Sequence, residues 1–299
     1  MPETLPAMVV VTLISARREA GLGEGFARQT ATRLGGELVW LERGVACDIH
    51  LAVAPGEFAR RDLEESAAEA RIDCVVQDAA RRRKKFLIAD MDSTMIGEEC
   101  IDELADAVGL KDTVAAITAR AMNGEIAFEP ALRERVALLA GLPERIIAEV
   151  IDSRITLAEG GRELVATMKA NGAHTALVSG GFTAFTAIVA ARLGFDETRA
   201  NLLLIEDGHL TGKVAEPILG REAKVDALRQ IAAARGLQPG DALAVGDGAN
   251  DLGMIGVAGT GVAIHAKPTV AAAAPFRIDH GDLTALLFMQ GYGAADIVG

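Results

Sequence analysis

Three short polar segments of the chain hold residue types that can carry out chemistry, and each follows an apolar run. The segments are Asp90-Met91-Asp92-Ser93-Thr94, Ser179-Gly180-Gly181 and Gly246-Asp247-Gly248-Ala249-Asn250-Asp251. Their four carboxylates would repel one another strongly at one sheet edge unless a cation lay among them. Carboxylate oxygen without histidine or thiolate is the donor set that favours magnesium. The pattern therefore predicts a Mg²⁺ site that supports phosphoryl transfer.

Asp90 and Asp92 are two residues apart, so an extended chain would point them in opposite directions and a turn must bend them toward one ligand. A carboxylate nucleophile can attack phosphorus to form an aspartyl phosphate, which divides hydrolysis into two displacements. A second carboxylate with a raised pKa can protonate the leaving oxygen and later accept a proton from water. We assign the first role to Asp90 and the second to Asp92.

A phosphate group needs further partners, and the later segments offer them. Ser179 and Gly180 can present a hydroxyl and backbone N–H groups to phosphate oxygens at a helix start. Lys224, near the start of a predicted helix, is best placed to neutralise both the phosphoryl group and the nucleophile. The remaining candidates lie in the third segment: Asp247 for the metal, and Asn250 and Asp251 for positioning water, Lys224 or ligand.

The elements that must position these residues predict an α/β fold. Short apolar strands at 86–89, 175–178, 242–245 and 261–264 alternate with helices, which is typical of a doubly wound parallel sheet. Ligands bind beyond the carboxyl ends of the strands in such sheets, where the three polar segments begin. The helical block at about 98–158 interrupts this alternation, so we expect it to form a cap over those ends.

The first 80 residues follow a different pattern. The predicted strands are 8–14, 37–41, 48–53 and 74–77, and the predicted helices are 25–34 and 58–70. The order β-α-β-β-α-β is typical of an α+β ferredoxin-like sandwich and resembles an ACT-like domain. We therefore expect two domains, 1–80 and 86–299, joined by a solvated basic connector at 81–85.

Composition argues against several other classes of protein. The 299 residues contain 30 Lys and Arg against 42 Asp and Glu, and a net charge of −12 disfavours nucleic acid as the main partner. No apolar stretch reaches the roughly 18 residues that span a bilayer, so no membrane partner is expected. Cys47, Cys74 and Cys100 form no C-x-x-C pair, which favours a reducing cytoplasm. The usual ATP- and NAD-binding glycine motifs are also missing from the sequence.

Taken together, Asp-x-Asp-Ser-Thr, Ser-Gly-Gly, the distant lysine and Gly-Asp-Gly-x-Asn-Asp resemble the motifs of the haloacid dehalogenase superfamily. Residues 86–290 are similar throughout to its phosphoserine phosphatases, including the segments 122–124, 132–136 and 265–268. The resemblance implies a haloacid dehalogenase-like core with a helical cap. It also implies Mg²⁺-dependent hydrolysis of O-phospho-L-serine to L-serine and phosphate through an aspartyl-phosphate intermediate, which is the last step of serine biosynthesis.

The resemblance further implies a role for each matching position. In the core, the metal would be held by Asp90, Asp247 and the backbone carbonyl of Asp92, and phosphate by Ser179, Gly180, Lys224 and Asn250. In the cap, Glu99 would bind the substrate ammonium and Arg135 the substrate carboxylate, with Met122 and Phe128 as apolar lid residues.

Two alternatives remain open at this point. The first is a phosphatase of another small phosphate ester, which Glu99 and Arg135 argue against because a sugar phosphate lacks the two charges that they would bind. The second is a phospho-accepting, amino-acid-sensing regulatory protein, although a receiver-like switch lacks the acid/base partner that Asp92 supplies. For the N-terminal domain we expect a role in pairing subunits as a homodimer or in binding an amino-acid effector.

Overall fold

A computed structural model describes residues 9–122 and 125–299. These residues form two main β-sheets, with helices accompanying each of them. The first sheet has four antiparallel strands in the order β2-β3-β1-β4. Its elements are β1 (Val9–Ile14), α1 (Glu24–Leu34), β2 (Glu37–Glu42), β3 (Ala46–Leu51), α2 (Glu57–Glu69) and β4 (Asp73–Asp78). This strand order is that of a ferredoxin-like sandwich, so the predicted N-terminal architecture is confirmed.

Both faces of the first sheet are buried at β1, which lies between β3 and β4. On one face, alternate residues of β1 such as Val11 and Leu13 pack with Ala27 of α1 and Leu63 of α2. Successive side chains along a strand point to opposite faces, so the residues between these lie on the other face of the sheet. There Ile14 belongs to the large core cluster that also contains residues of the second sheet.

The second sheet has six parallel strands in the order β12-β11-β10-β5-β6-β7. They are β5 (Phe86–Ala89), β6 (His174–Phe182), β7 (Glu197–Asn201), β10 (Ala242–Gly246), β11 (Thr260–Ile264) and β12 (Phe276–Ile278). The helices around them are α7 (Gly161–Ala170), α8 (Thr183–Leu193), α9 (Arg221–Ala234), α10 (Leu252–Val257), α11 (Pro268–Ala273) and α12 (Ala285–Met289). The four predicted strands are present, and β5 is buried along its whole length because it is central in the sheet.

The predicted helical block lies between β5 and α7. It consists of α3 (Cys100–Ala107), α4 (Lys111–Met122), α5 (Phe128–Ala137) and α6 (Arg145–Arg154). The chain enters and leaves this cap side by side, since Ile96 and Leu157 form an antiparallel bridge. The Glu98 carboxylate strengthens that junction by accepting hydrogen bonds from the Thr156 N–H at 2.8 Å and the Thr156 hydroxyl at 2.6 Å.

A hairpin that the sequence pattern does not predict connects the sheet to the cap. Its strands are β8 (Leu203–Glu206) and β9 (His209–Val214). The Leu210 carbonyl accepts a hydrogen bond from the Gly141 N–H at 2.8 Å, and the Leu210 N–H donates to the Leu142 carbonyl at 2.8 Å. The hairpin therefore fixes the end of α5 to the chain that follows β7.

The basic connector is partly packed rather than fully solvated. Only 13% of the Arg82 side chain is exposed, and its guanidinium lies 2.7 Å from the buried carboxylate of Asp48. Arg83 places its guanidinium 4.2 Å from the centre of the Tyr292 ring. Arg82 thus departs from the solvated state that its charge indicates, because a buried carboxylate of the first sheet requires a cation.

None of the helices within the described residues is both long and apolar enough to cross a bilayer.

Candidate active site

The three polar segments meet at the carboxyl ends of adjacent strands. Asp90 follows β5, Asp247 follows β10, and Ser179 lies near the end of β6. The backbone also joins two of these segments, since the Asp90 N–H donates to the Val245 carbonyl at 3.0 Å. Asp90, Asp247 and Asp251 each offer a carboxylate oxygen within 4.8 Å of the others. The parallel sheet therefore brings together residues that are about 160 positions apart in the sequence.

Lys224 lies between two carboxylates of this cluster, those of Asp90 and Asp251. As the fourth residue of α9, it points its ammonium into the sheet edge, with 1% of the side chain exposed. Its Nζ is 2.7 Å from Asp90 Oδ1 and 2.6 Å from Asp251 Oδ1. Burial alone would lower the pKa of Lys224, but the charges of Asp90 and Asp251 outweigh it and raise the pKa above its usual value.

The Asp90 carboxylate is held in one orientation. Its Oδ1 accepts hydrogen bonds from the Lys224 ammonium at 2.7 Å and from the Met91 N–H at 2.8 Å. Burial and the neighbouring charge of Asp251 raise the pKa of Asp90 well above its usual value, and Lys224 opposes that rise. A second positive charge close to Asp90 would therefore stabilise the ionised form of its carboxylate further.

Asp247 and Asp251 differ in how much of each carboxylate is already used. Asp251 is fully buried, and its Oδ1 binds Lys224 while its Oδ2 accepts a hydrogen bond from the Gly248 N–H at 3.0 Å. Asp247 accepts a hydrogen bond from the Thr94 hydroxyl at 3.0 Å. Burial and the charge of Asp251 raise the pKa of Asp247. Both oxygens of Asp251 are thus used to hold Lys224 and the loop. For Asp247 the hydrogen bond from Thr94 uses one oxygen, Oδ1.

The third segment turns tightly around these carboxylates. A side-chain carbon at Gly246 would lie 2.4 Å from the Asp251 carboxyl carbon, so only glycine fits there. A side-chain carbon at Gly248 would lie 2.2 Å from Asn250 Oδ1, which places Asn250 in the same turn. The half-buried Asn250 therefore lies in the same loop as Asp247 and Asp251.

Asp92 connects the first loop to the cap and to the second segment. Its Oδ1 accepts a hydrogen bond from the Cys100 N–H at 2.9 Å, at the start of α3. Its Oδ2 accepts one from the Ser179 hydroxyl at 3.1 Å, and that hydroxyl in turn accepts one from the Gly181 N–H at 2.8 Å. A side-chain carbon at Gly181 would come within 2.7 Å of Asp92 Oδ2. The second glycine of Ser-Gly-Gly is therefore required by the approach of Asp92.

Phe128 reaches from the cap onto the second segment. A side-chain carbon at Gly180 would lie 3.4 Å from the Phe128 ring, and one at Gly220 would lie 3.5 Å from it. The residue as a whole is 38% exposed, so Phe128 contacts the two glycines and is also accessible to solvent. This is a placement that suits a lid residue. Helix α4 ends at Met122, but the Met122 side chain, Asn123 and Gly124 lie outside the described residues.

Two charged cap residues lie near this group. Glu99 accepts a hydrogen bond from the Ser93 hydroxyl at 2.9 Å. Although the residue is exposed at the cleft, loss of hydration there and the charge of Asp92 raise the pKa of Glu99 to about 7. Arg135 donates to the Ala131 carbonyl at 3.3 Å and to the Thr118 hydroxyl at 3.4 Å. Both of these partners are uncharged. Burial lowers the pKa of Arg135, and the nearby charge of Asp102, followed by those of Glu99 and Asp92, opposes that change.

Several residues at the site have no signal in the sequence pattern. Asp102 has a buried Oδ1 without a hydrogen-bond partner in the described part of the chain, and burial raises its pKa while the charge of Arg135 opposes the rise. Asn201 bonds to the backbone of Gly180 from the end of β7. Thr94 belongs to the first segment, so its contact with Asp247 could have been inferred from the motif.

Comparison with known proteins agrees with this geometry. Residues 87–255 match the family model described as haloacid dehalogenase-like hydrolase. The chain belongs to this family. A phosphoserine phosphatase from Albidiferax ferrireducens is 49% identical over 208 residues, which cover 68% of this chain and 88% of the relative. The recognition made from the motifs is therefore confirmed.

Two solved structures resemble nearly the whole chain of this haloacid dehalogenase-like hydrolase. A family hydrolase from Salmonella enterica serovar Typhi has a TM-score of 0.84 at 30% identity and covers 95% of this chain and 98% of its own. A probable phosphoserine phosphatase from Vibrio cholerae has a TM-score of 0.77 at 30% identity, with coverages of 97% and 88%. The N-terminal sheet is thus shared with structures of the same family.

Proposed function

We propose that this chain is a phosphoserine phosphatase that hydrolyses O-phospho-L-serine to L-serine and phosphate, with Asp90 as the nucleophile. The observation that carries the proposal is the buried Lys224 ammonium between Asp90 and Asp251, at the edge of the sheet where Asp247 and Ser179 also lie. A carboxylate fixed beside a buried cation has both a nucleophilic oxygen and a charge partner for phosphate. The similarity to proteins named phosphoserine phosphatases supports the choice of substrate.

We further propose that the metal is Mg²⁺, held by Asp90, Asp247 and the backbone carbonyl of Asp92. The fit follows from charge and donor type. Three clustered carboxylates and one ammonium leave two negative charges, which one divalent cation would balance. The two side-chain donors and the backbone carbonyl are all oxygen, the type that Mg²⁺ prefers. When bound, the cation would neutralise charge between the carboxylates and the incoming phosphate.

The proposed reaction has two displacements. In the first, an Asp90 oxygen forms a bond to phosphorus while the bond from phosphorus to the serine oxygen breaks. Protonated Asp92 donates its carboxyl proton to the departing serine oxygen. In the second, Asp92 takes a proton from water, the water oxygen bonds to phosphorus, and the bond from Asp90 to phosphorus breaks. Lys224 and the Met91 N–H fix the Asp90 carboxylate for attack, while Lys224, Ser179, Gly180 and Asn250 would bind the phosphate oxygens.

The cap would select the amino acid. Glu99 is proposed to bind the substrate ammonium and Arg135 the substrate carboxylate. The two hydrogen bonds of the Arg135 guanidinium go to uncharged groups, so a substrate carboxylate would form a charge-assisted pair that these partners do not supply. Phe128, on the glycines of the phosphate-binding region, would exclude water, and Met122 would act with it.

For the rest of the chain we propose the domain boundaries 1–80 and 86–299, with the cap at about 98–158. The N-terminal domain would pair two copies as a homodimer or bind an amino-acid effector. A cytoplasmic location is proposed from the free Cys47, Cys74 and Cys100.

The test is steady-state release of phosphate from a panel of phosphorylated amino acids and sugar phosphates, with Mg²⁺ present. We expect kcat/KM to be highest for O-phospho-L-serine, and Asp90→Asn to serve as the inactive control. A higher kcat/KM for a sugar phosphate would favour another phosphatase activity. An aspartyl phosphate that forms but is not hydrolysed would favour the regulatory alternative.

A further inference from the structure

Asn201, at the end of β7, joins two loops of the candidate active site. Only 3% of its surface is exposed. Its Nδ2 donates to the Gly180 carbonyl at 2.8 Å and to the Leu219 carbonyl at 3.3 Å. Its Oδ1 accepts a hydrogen bond from the Leu219 N–H at 2.7 Å. One side-chain amide therefore connects the Ser-Gly-Gly segment to the chain that leads into α9.

The pairing of β6 with β7 explains why an amide is needed there. Between the pairs Val178–Arg199 and Phe182–Asn201, β6 advances by four residues while β7 advances by two. The two extra residues form a bulge on β6, which turns Ser179 toward the site and takes the Gly180 carbonyl out of the regular ladder. A backbone carbonyl that loses its donor away from water costs free energy. The Asn201 amide supplies the donor that the bulge removes.

The other end of this connection sets the position of the lysine. Leu219 precedes Gly220, the residue that caps the N-terminus of α9. The Gly220 carbonyl accepts a hydrogen bond from the Lys224 N–H at 3.3 Å, so the start of the helix fixes where Lys224 stands. Gly180 and Gly220 also lie under the same Phe128 ring. Asn201 thus holds side by side two backbone segments whose separation determines the shape of the phosphate site.

We propose that Asn201 is a positioning residue for phosphate binding. Its side-chain amide fixes the distance between the β6 bulge and the first turn of α9, so that Ser179 and Lys224 reach the same phosphoryl group. The proposal rests on the proposed function of this site in phosphoryl transfer. It does not depend on which ester is the natural substrate, because Asn201 acts on the part of the site that binds phosphate.

The test uses Asn201→Asp in the full chain with Mg²⁺ present. This variant keeps the size and the acceptor oxygen but removes both N–H donations and places a carboxylate against two carbonyls. We expect kcat/KM to fall about 10- to 100-fold for O-phospho-L-serine and p-nitrophenyl phosphate alike, since displaced reacting groups lose rate on this scale. The dissociation constant of inorganic phosphate, measured by calorimetry, should rise about tenfold or more.

The control is Asn171→Asp, which removes the donation from Asn171 Nδ2 to the Thr167 carbonyl at 2.9 Å on the exposed end of α7. It should leave turnover and phosphate affinity unchanged. If Asn201→Asp does not fold, Asn201→Ser takes its place; its hydroxyl can donate to one carbonyl, so a smaller loss of phosphate affinity is expected.

Three results separate the possibilities. A folded Asn201 variant with a lower melting temperature but wild-type phosphate affinity would overturn the proposal, because the amide would then only stabilise the fold. A loss confined to O-phospho-L-serine would also overturn it, because the phosphate site is common to both esters. If instead the wild-type protein does not hydrolyse O-phospho-L-serine, the proposed substrate fails, while equal losses for other esters and for phosphate would still support the role of Asn201.

Discussion

Replacing Lys224 by methionine tests whether this lysine balances the buried carboxylates. Lys224→Met keeps most of the side-chain volume but removes the ammonium that lies 2.7 Å from Asp90 and 2.6 Å from Asp251. Both carboxylates would remain buried without that cation. Breaking a buried ion pair by removing one partner costs about 3 to 5 kcal/mol. We expect the free energy of unfolding, measured without Mg²⁺, to fall by about this amount.

This loss should depend on pH and on metal. The pKa of Asp90 is already raised by burial and by the charge of Asp251, and Lys224 is the group that opposes the rise. A carboxyl group with a higher pKa in the folded than in the unfolded state gains folding stability as the pH falls through the folded pKa. The difference between Lys224→Met and wild type should therefore shrink at lower pH. Added Mg²⁺ should also reduce it, because a dication restores positive charge to the cluster.

Urea unfolding followed by circular dichroism measures the effect, with a chelator and then with Mg²⁺. The matched control is Lys169→Met, because Lys169 Nζ lies 2.7 Å from Asp196 but 37% of its side chain is exposed. An exposed pair of this kind contributes about 0 to 1 kcal/mol. A loss in Lys224→Met no larger than that in Lys169→Met would refute the view that Lys224 balances the cluster.

Four further predictions concern activity. Asp90→Asn should lower turnover about 10³-fold or more through loss of the covalent catalyst, and wild-type turnover of this variant with Mg²⁺ would exclude Asp90 as nucleophile. Arg135→Ala should raise KM for O-phospho-L-serine by an amount equal to about 1.5 to 3 kcal/mol, the value of a charge-assisted pair, and equal effects on p-nitrophenyl phosphate would contradict its role. Because the pKa of Glu99 is raised to about 7, Glu99 gains a proton and loses its negative charge as the pH falls. KM for O-phospho-L-serine should therefore rise between about pH 8 and pH 6. If a Glu99→Gln variant shows the same rise, a group other than Glu99 causes it. Ca²⁺ should bind and inhibit because it takes both oxygens of a carboxylate, and full phosphate release with Ca²⁺ alone would count against the Asp90 geometry.

The arrangement of the core site follows from the sequence to a large extent. Each polar segment comes after a short buried run, and parallel strands place their carboxyl ends at one edge of the sheet. That rule alone predicts that Asp90, Ser179 and Asp247 lie near one another, as they do. The position of Lys224 follows less directly, because it depends on the angle at which α9 leaves its glycine cap.

The features that the sequence pattern misses share a physical cause. Strand β7 consists of Glu-Thr-Arg-Ala-Asn at the sheet edge and is only partly buried, so it has no apolar run that would indicate a strand. Asn201 acts through backbone carbonyls that are about 20 residues away in sequence, and the residue types of those partners carry no signal. Strand β12 is only three residues long. Contacts made through backbone atoms at a sheet edge are set by the tertiary fold rather than by local pattern.

The N-terminal sheet packs against the rest of the chain, and this contact bears on whether the N-terminal domain can be removed. All the matched motifs follow residue 85, which suggests that the preceding residues can be removed without effect on chemistry. However, Ile14 and Val75 share a core cluster with Phe288 of α12, and the buried Asp73 carboxylate accepts hydrogen bonds from the Asp279 and Gly281 N–H groups at 2.7 Å. Deleting the first sheet would expose this apolar surface and leave those donors unpaired, at a cost to stability. An inactive truncation would therefore report loss of folding as readily as loss of a regulatory domain, and substitutions at surface contacts between the two sheets are needed to distinguish them.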